Sequence, residues 1–436
     1  MSPFEELLKA LVEDGATDIV PKSRLEACLK NCLEGLGTEG LPAPISRAEA
    51  YLHILADAMM GGYGGEENYL SNLTNFFKFY YGGHRLSDVP PESLNLRKGT
   101  NFESMFDSCP ELESIGDLKF GDGSYKNLFY NNKKLKSVGN LSFGTGSAYY
   151  MFYQCNELES IGSIRGLKAT SCYAMFDQCH KLKLPDVLEI DTSECTNFEY
   201  MFSYCHVTTN LPKMNTSKGT NFADMFRRCY AVKTFPELDT SNGTNFRGMF
   251  EDARLLDEIP EWLNTSNATN VNSMFEGTSI KTVCNLDLRN VTTANELFYR
   301  CTALESIYDL DFRSCTNFSS AFYAGYNTRD NLTNVYIRNI KTSLSLSTTS
   351  GKITPDSLIH TIKELRDTGA SKTLTIGTTH LAKIANTYVK LIPITDEMRA
   401  EDDLIDEKLP FEVCESTDEG AILITDYVGE KNWVLK

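Results

Sequence analysis

The chain has 436 residues, a net charge of -17 at pH 7 and 11% aromatic side chains. This length allows a continuous core, whereas the acidic balance argues against nucleic acid as a partner, because phosphate binding depends on lysine and arginine. No run of eighteen apolar residues occurs, so we expect no membrane insertion. The first fifteen residues are acidic, and we expect no Sec-type signal there.

The N-terminal part contains a short internal repeat, Pro-x-Ser-Arg-x-Glu-Ala-x-Leu, at 21–29 and 44–52. In each copy a serine precedes a glutamate by three positions, which is the spacing of a capping box at a helix start. The glycine cluster at 61–65 then indicates a flexible joint. We therefore predict a helical attachment module over 1–60, followed by a glycine linker and N-terminal cap over 61–97.

A longer repeat follows, and its most regular element is a Met-Phe pair whose phenylalanine recurs every 23 to 26 residues. The ten phenylalanines are Phe106, Phe129, Phe152, Phe176, Phe202, Phe226, Phe250, Phe275, Phe298 and Phe322. This period is typical of a solenoid, in which one unit cannot bury its apolar face alone and stacks on its neighbours. We predict a solenoid of about ten such units over 98–345.

Each unit combines two apolar patterns. The Asn-Phe-x-x-Met-Phe part has the i, i+3, i+4 spacing of a helical turn, whereas the Leu-x-x-Ile part is typical of a short strand closed by a turn. Thr-Asn pairs such as Thr220-Asn221 precede the phenylalanine. They suit turns, because their side chains can bond nearby backbone N–H groups. The patterns predict an α/β solenoid with one helical turn and one strand per unit.

The order Asn-x-x-x-Met-Phe-x-x-Cys-x-x-Leu-x-x-Ile, followed by Asp-Thr-Ser at 239–241, resembles the BspA-like leucine-rich repeat. The resemblance covers residues 98–340, and its ten registered copies make it specific. Such repeats occur in bacterial surface proteins and in proteins of phages of gut bacteria. The sequence departs from the pattern at the Cys position (Asn132, Ala253, Thr278, Gly325) and at the Met position (Leu128, Leu297, Ala321).

The resemblance implies a structural or binding protein. The N-terminal segments that run into the glycine cluster are similar to attachment regions of phage tail and other virion proteins. With no export signal expected, we favour a phage virion protein, such as a tail fibre, tail tip or other appendage, whose solenoid recognises the host surface. A bacterial cell-surface or secreted adhesin is the alternative. We expect no enzyme, because Gly-x-Ser-x-Gly, His-Glu-x-x-His and Walker motifs do not occur.

The region 346–436 is predicted to be a C-terminal capping module. Thr354 is placed as an N-cap before Pro355, an apolar stripe follows, and the helix should stop near Gly369. A strand at 374–376 and a second helix should come next. The acidic tail from Thr395 becomes strand-like at 421–427 and 433–435.

Six of the thirteen cysteines share one repeat position, three residues after the phenylalanine: Cys109, Cys155, Cys179, Cys205, Cys229 and Cys301. This column should face inward, where a thiol packs as a small hydrophobe. Disulfides along the column are the alternative, and they require side chains of neighbouring coils to point together. We expect reduced thiols.

Cys179-His180 and Cys205-His206 lie in register, so spacing alone would allow a Cys2His2 zinc cluster. Adjacent residues should instead point to opposite sides, with cysteine inward and histidine outward. We predict no metal or cofactor there, nor at the pair Cys28 and Cys32.

Recognition is therefore assigned to the solenoid surface. Tyrosine combines a flat apolar face with a hydroxyl, which suits sugar or protein recognition. The candidates at or next to the position after the repeat phenylalanine are Tyr130, Tyr153, Tyr204, Tyr299 and Tyr323. A mixed-charge row occupies the strand positions Glu113, Lys136, Glu159, Lys281 and Glu305. Both rows have a second interpretation, namely keeping the solenoid soluble.

The expected partners follow from this organisation. Other virion proteins would bind the N-terminal module, and a host cell-surface protein or glycan would bind the solenoid. A homo-oligomer is left open by the sequence.

Overall fold

The computed structural model describes residues 75–78, 80–82, 88–89, 95–185, 188–317, 319–323, 331–346, 352–367, 369–376, 378–402, 408, 410–430 and 432–435. The two helices expected at 21–29 and 44–52, and the glycine cluster at 61–65, lie outside the described residues. The described part is a β-solenoid of about nine turns followed by a smaller C-terminal part. The repeated solenoid predicted from the sequence is confirmed.

The strands in the first half of the solenoid form one parallel sheet. Its eight strands are β1 Asp88–Val89, β2 Asn95–Leu96, β3 Ser114–Ile115, β4 Leu118–Phe120, β5 Ser137–Ser142, β6 Thr145–Ser147, β7 Ser160–Ser171 and β8 Leu188–Asp191. Equivalent residues of successive units pair, as Ser114 does with Ser137 and Ser137 with Ser160. The strand predicted for the Leu-x-x-Ile part is therefore confirmed in these units.

Farther along, regular strands become sparse. Residues 192–281, which are all described, contain no regular strand, and their β-type pairing is limited to isolated bridges, such as Asn197 with Asn221 and Asn221 with Asn245. The strand predicted for every unit is therefore absent here, and backbone hydrogen bonds between turns, such as Phe202 N–H to the Met225 carbonyl at 3.0 Å, join the coils instead. A second parallel sheet then follows, in the order β11-β10-β9. Its strands are β9 Thr282–Val283, β10 Ser306–Asp311 and β11 Asn334–Arg338.

The Met-Phe segment of each unit is not helical, which corrects the helical turn predicted there. Two residues of the segment have positive φ, namely Ser104 and Ser108, both at 54°. The same two positions have positive φ in a later coil, at Tyr200 (59°) and Tyr204 (57°). Left-handed residues interrupt an α-helix. The segment is therefore a pair of tight turns, and the described helices all lie in the C-terminal part.

Hydrogen bonding explains why the turns replace a helix. The Met105 N–H donates to the Phe102 carbonyl of its own coil at 3.1 Å, whereas the Phe106 N–H donates to Leu128 of the next coil at 2.9 Å. An α-helix would use both N–H groups internally. Two turns reproduce the i, i+3, i+4 apolar spacing and leave alternate N–H groups to join neighbouring coils.

The core is built from columns of stacked rings. The ten repeat phenylalanines are buried, and the ring centroids of successive units lie 5.0 to 6.1 Å apart. The column of repeat phenylalanines is preceded by Tyr80, which stacks on Phe106 with centroids 5.1 Å apart. A second column of rings, which contains Phe102, is preceded by Phe76, which stacks on Phe102 at 5.5 Å. Phe76 and Tyr80 thus provide rings that cover the first predicted unit.

The Thr-Asn pairs form turns, as predicted. The Asn221 side-chain oxygen accepts the Ala223 N–H at 3.2 Å and also accepts from Asn245 Nδ2 of the next coil at 3.0 Å. The Thr244 hydroxyl donates to the Thr220 carbonyl of the preceding coil at 3.2 Å. These side chains therefore close each coil and also join it to its neighbour.

The repeat cysteines face inward, and the six column cysteines are buried. Their thiols also donate hydrogen bonds to backbone carbonyls. The Cys155 thiol donates to the Phe129 carbonyl of the preceding coil at 3.1 Å, and the Cys179 thiol donates to Phe152 at 3.2 Å. Burial raises the pKa of Cys155 to about 12, so this thiol stays protonated at neutral pH and serves as a weak donor.

The C-terminal part begins against the last solenoid strand. Helix α1 spans Pro355–Lys363, and Thr354 is its N-cap, as predicted. The Val335 N–H of β11 donates to Ser357 in α1 at 3.1 Å. The helix ends at Lys363 rather than near Gly369, because the chain turns back and Leu365 forms a β-bridge with Ile340.

The other elements that lie within the described residues form two small sheets and three more complete helices. The parallel sheet has the order β12-β13-β17 and the antiparallel sheet β15-β14-β16, with β12 Leu344–Ser345, β13 Lys372–Thr375, β14 Tyr388–Leu391, β15 Phe411–Cys414, β16 Ile422–Leu423 and β17 Trp433–Leu435. The helices are α2 Thr378–Ile384, α3 Asp396–Glu401 and α4 Ile424–Glu430. The strand predicted over 421–427 is wrong in its second half, where α4 buries Tyr427 and Val428.

Candidate binding face

A set of half-buried tyrosine rings runs along one side of four successive units. We call it the tyrosine ladder, and it comprises Tyr130, Tyr149, Tyr150, Tyr153, Tyr173 and Tyr200. Tyr130 and Tyr153 had been predicted as surface candidates. The ladder exists because equivalent positions of stacked coils lie as close together as neighbouring strands, ~4.8 Å apart.

The rings of the ladder cover one another's faces. Tyr130 stacks on Tyr153 with centroids 5.1 Å apart, and Tyr149 stacks on Tyr173 at 4.8 Å. Tyr150 meets Tyr173 edge to face at 5.1 Å. Solvent therefore contacts ring edges and hydroxyl groups more than the flat ring faces that sequence reasoning had expected to be offered to a ligand.

The hydroxyl groups of Tyr150 and Tyr153 remain neutral at physiological pH. Burial, followed by a hydrogen bond with Tyr173, raises the pKa of Tyr150 far above its ordinary value, and burial also raises the pKa of Tyr153. Gln178 Nε2 donates to the Tyr153 hydroxyl at 3.2 Å. These two residues thus present uncharged phenols that can both donate and accept hydrogen bonds.

Two histidines extend the ring surface beyond the ladder. His180 and His206 stack with centroids 4.6 Å apart, and His206 stacks on Tyr230 at 4.7 Å. Cys179 and Cys205 are buried, whereas the histidines are half-buried, so the predicted inward cysteines and outward histidines are confirmed. Burial lowers the pKa of both imidazoles.

Arginines lie over the last tyrosines of this surface. The Arg228 guanidinium is 4.9 Å from the Tyr204 ring centroid, and Arg254 is 4.6 Å from that of Tyr230. Such cation–π contacts contribute about 0.5–1 kcal/mol at exposed sites. Tyr204, a predicted candidate, thus lies among two histidines and an arginine.

A buried ion cluster adjoins the ladder at Tyr200. The Asp224 side chain has no solvent exposure, Arg247 contacts its carboxylate, and Arg227 lies 3.8 Å away. Arg247 also donates to the Tyr200 hydroxyl at 2.9 Å. Burial nevertheless raises the pKa of Asp224 to about 6, against the lowering effect of the two arginines. Burial raises the pKa of the neighbouring Asp177 to about 7.

The other two predicted tyrosines form a separate, smaller pair. Tyr299 stacks on Tyr323 with centroids 5.7 Å apart, and both are half-buried. The ring contacts recorded within the described residues do not link this pair to the tyrosine ladder. In the same described part of the chain, Tyr204 makes no ring contact with the ladder either, but Arg227, Asp224 and Arg247 connect it to Tyr200. The structure therefore joins Tyr130, Tyr153 and Tyr204 in one main ring surface and sets Tyr299 and Tyr323 apart.

The mixed-charge row lies on successive coils, as predicted. Lys136 Nζ is 2.7 Å from a Glu113 carboxylate oxygen, and the side chains of both residues are about half exposed. The Glu159 N–H donates to the Lys136 carbonyl, and the Glu305 N–H donates to that of Lys281, both at 2.8 Å. Exposed ion pairs of this kind contribute ~0–1 kcal/mol, so the row adds little to stability.

Within the described ranges, no group of three or more His, Cys, Asp and Glu side chains is arranged to hold a metal ion. No helix among these residues has the length and apolar character needed to cross a membrane. Cys28 and Cys32 lie outside the described residues.

Sequence reasoning missed the polar half of this surface. Asp177, Arg227 and Glu251 hold the repeat position of Tyr130 and Tyr153, one residue after the phenylalanine. A comparison of that position across all units would have shown the change from tyrosine to charged residues. Arg227 donates to Glu251 at 2.7 Å, so the change creates an ion pair between successive coils.

Comparison with known proteins gives one family. The chain matches the family model described as "Mycoplasma protein of unknown function, DUF285" in three overlapping segments, 146–258, 170–286 and 231–336. Overlapping matches shifted along the chain are expected where a model spans several units of a repeat array. No curated protein matches the chain. The matches and the solenoid agree with a BspA-like repeat protein.

Proposed function

We propose that the protein is a phage virion component, a tail fibre, tail tip or other appendage, whose solenoid binds a protein on the host surface. The observation that carries the binding role is a surface made of two ring clusters, the tyrosine ladder and the cluster of His180, His206, Tyr204 and Tyr230 with its arginines. The ion cluster joins them, because Arg247 donates to Tyr200 and Arg227 lies 5.7 Å from the Tyr204 ring centroid. Tyrosine and arginine are enriched among the residues that dominate binding energy at protein interfaces.

Ring orientation favours a protein partner over a glycan. Sugars bind aromatic side chains mainly through open ring faces, and stacking within the ladder covers those faces, as at Tyr149 and Tyr173. Ring edges, neutral hydroxyls and guanidinium groups instead suit backbone carbonyls and carboxylates of a polypeptide. The N-terminal module would attach the chain to other virion proteins, as the resemblance implies.

A bacterial surface or secreted adhesin is the second candidate. The matched family is described from Mycoplasma proteins, and the binding role of the solenoid would be the same in such a protein. The two candidates differ in where the protein resides, so its location separates them.

Binding of the labelled full chain to candidate host strains tests the recognition role. Tyr173→Ala and Tyr204→Ala should reduce binding at least tenfold, whereas Tyr308→Ala should not. Tyr308 is a matched control, because it stacks on Tyr336 on β11, away from the ladder. Protease treatment of the cells should abolish binding. Binding that survives protease but is lost after periodate oxidation would replace the protein receptor with a glycan.

A further inference from the structure

Two buried cysteines outside the repeat column lie against each other. Cys172 and Cys195 belong to successive coils, neither is exposed, and their sulfurs are 3.1 Å apart. Cys172 stands four residues before Phe176, at the position that Phe102, Tyr125 and Phe198 fill in other units. The pair therefore lies where a second column of core rings is interrupted.

The interruption makes room for Cys195. In later coils its position is held by Gly219 and Gly243. A β-carbon on Gly219 would come 2.5 Å from the Phe222 ring of its own coil and 3.1 Å from the Phe198 ring of the preceding coil. The coil that precedes Cys195 carries the small Cys172 in place of that second ring. Cys172 thus removes the ring contact with the preceding coil, while the ring of the same coil, Phe198, is retained beside Cys195.

The column cysteines are arranged differently. Their thiols donate to phenylalanine carbonyls of the preceding coil, as Cys179 does to Phe152 at 3.2 Å and Cys205 does to Phe176 at 3.3 Å. Among the described cysteines, only Cys172 and Cys195 have sulfurs within hydrogen-bonding distance of each other. Stacking alone therefore does not bring thiols together, and this pair is a local feature.

We infer that Cys172 and Cys195 form a disulfide when the chain folds in the presence of a thiol oxidant. With oxidised glutathione, one thiolate attacks a glutathione sulfur, the glutathione S–S bond breaks, and one glutathione thiolate leaves. The second cysteine thiolate attacks the mixed disulfide and releases the other glutathione. Two protein thiols lose two protons and two electrons, and one oxidised glutathione becomes two reduced molecules.

The bond forms during folding rather than in the closed core. The hydrogen bond with Cys195, followed by burial, raises the pKa of Cys172 well above its ordinary value. Because the thiolate is the attacking species, Cys172 reacts slowly while it is packed. Transient opening of the coils exposes both thiols, and reclosing returns them to bonding distance. A bridge across this 23-residue separation also restricts the unfolded chain.

The test equilibrates the full chain in a glutathione redox buffer, at a urea concentration just below its unfolding midpoint. Alkylation, digestion and mass spectrometry then map the bonded cysteines. We expect the Cys172–Cys195 peptide as the main linkage, a loss of two thiols, and a higher Tm than for the reduced chain. Dominance of any other pair, or retention of all thirteen thiols while the glutathione is mostly oxidised, would overturn the inference.

Serine variants provide matched controls. Cys172→Ser and Cys195→Ser should each abolish the linkage and the oxidation-dependent rise in Tm, whereas Cys179→Ser and Cys205→Ser should keep both. Mapping of the parent chain does not depend on the folding of any variant. A rise in Tm on oxidation that persists in Cys172→Ser would contradict the assignment.

Discussion

The side-chain amide of Asn132 donates to the Phe106 carbonyl of the preceding coil at 2.7 Å and to the Phe129 carbonyl of its own coil at 2.9 Å. Its oxygen accepts the Cys109 N–H at 2.8 Å. Asn132 replaces a column cysteine, so the departure from the repeat pattern preserves a donor. Thr278 does the same, because its hydroxyl donates to Phe275 at 2.8 Å. These two replacements keep a buried side-chain donor in the column, whereas the buried Ala253 does not.

Asn132→Leu should lower the free energy of unfolding by about 1–3 kcal/mol, because a buried N–H loses its acceptor and two carbonyls lose a donor. Asn132→Cys restores the repeat residue and should cost less. Urea unfolding of both variants measures the difference. Equal stabilities would show that the column selects only for size.

Phe202→Ala should destabilise the solenoid by about 3–5 kcal/mol, because a buried ring is lost and a cavity remains. Phe202 stacks between Phe176 at 5.6 Å and Phe226 at 6.1 Å. Tyr308→Ala is the control, since Tyr308 is 39% exposed. Thermal and urea unfolding measure both. A Phe202→Ala protein that unfolds like the parent would refute the stacked-ring core.

Asp177→Asn should stabilise the protein at pH 8 and make little difference near pH 4. Burial raises the pKa of Asp177 to about 7, so the folded chain holds this proton more tightly than the unfolded chain does. With aspartate at this position, the free energy of unfolding therefore falls as pH rises from about 4 to 7. Asparagine cannot ionise, so the variant does not show this fall. Urea unfolding at both pH values measures the change.

Asp239→Asn is the matched control, because the pKa of Asp239 is lowered whereas that of Asp177 is raised. Hydrogen bonds from Ser241 lower the pKa of Asp239, so its stabilising effect is present above the ordinary carboxyl pKa and is lost as pH falls below it. This variant should be less stable than the parent at pH 8 and should converge with it at acidic pH. The burial account fails if both variants shift stability in the same direction at pH 8.

Removal of residues 1–65 should leave the unfolding transition of the solenoid unchanged. Phe76 and Tyr80 stack on Phe102 and Phe106, so the rings that cover the first predicted unit are retained. A longer deletion through residue 82 uncovers Phe102 and Phe106 and should lower the Tm. Circular dichroism of the two truncated chains compares them directly. Loss of folding in the shorter deletion would place part of the core before residue 66.

Much of the fold is contained in the repeat itself. The spacing of the phenylalanines identifies the coil, its period and the inward column, because stacking requires equivalent residues to meet. The conformation of the Met-Phe segment could not be read in the same way. Phe102, Met105 and Phe106 would lie on the same side in a helical turn and in two tight turns. The two conformations differ in their hydrogen bonds to the next coil, such as that from the Phe106 N–H to the Leu128 carbonyl, and these bonds are not visible in the spacing.

The candidate site was only partly predictable. Tyrosines at a fixed repeat position identify a surface row, and three of the five predicted residues lie in the main ring surface. Their ring orientation depends on contacts between coils, as at Tyr130 and Tyr153. The ion cluster around Asp224 joins side chains from several units, so no single unit contains its pattern.

Quantitative mass spectrometry of density-gradient-purified particles, from lysates of cells that carry this gene, tests the central proposal most directly. The account predicts that the chain sediments with capsid and tail proteins at a fixed number of copies per particle. It also predicts that a chain lacking residues 1–65 is absent from the particles although it is folded. Recovery of the full chain in the cell envelope or culture fluid, with none in the particles, would contradict the virion assignment and support the adhesin.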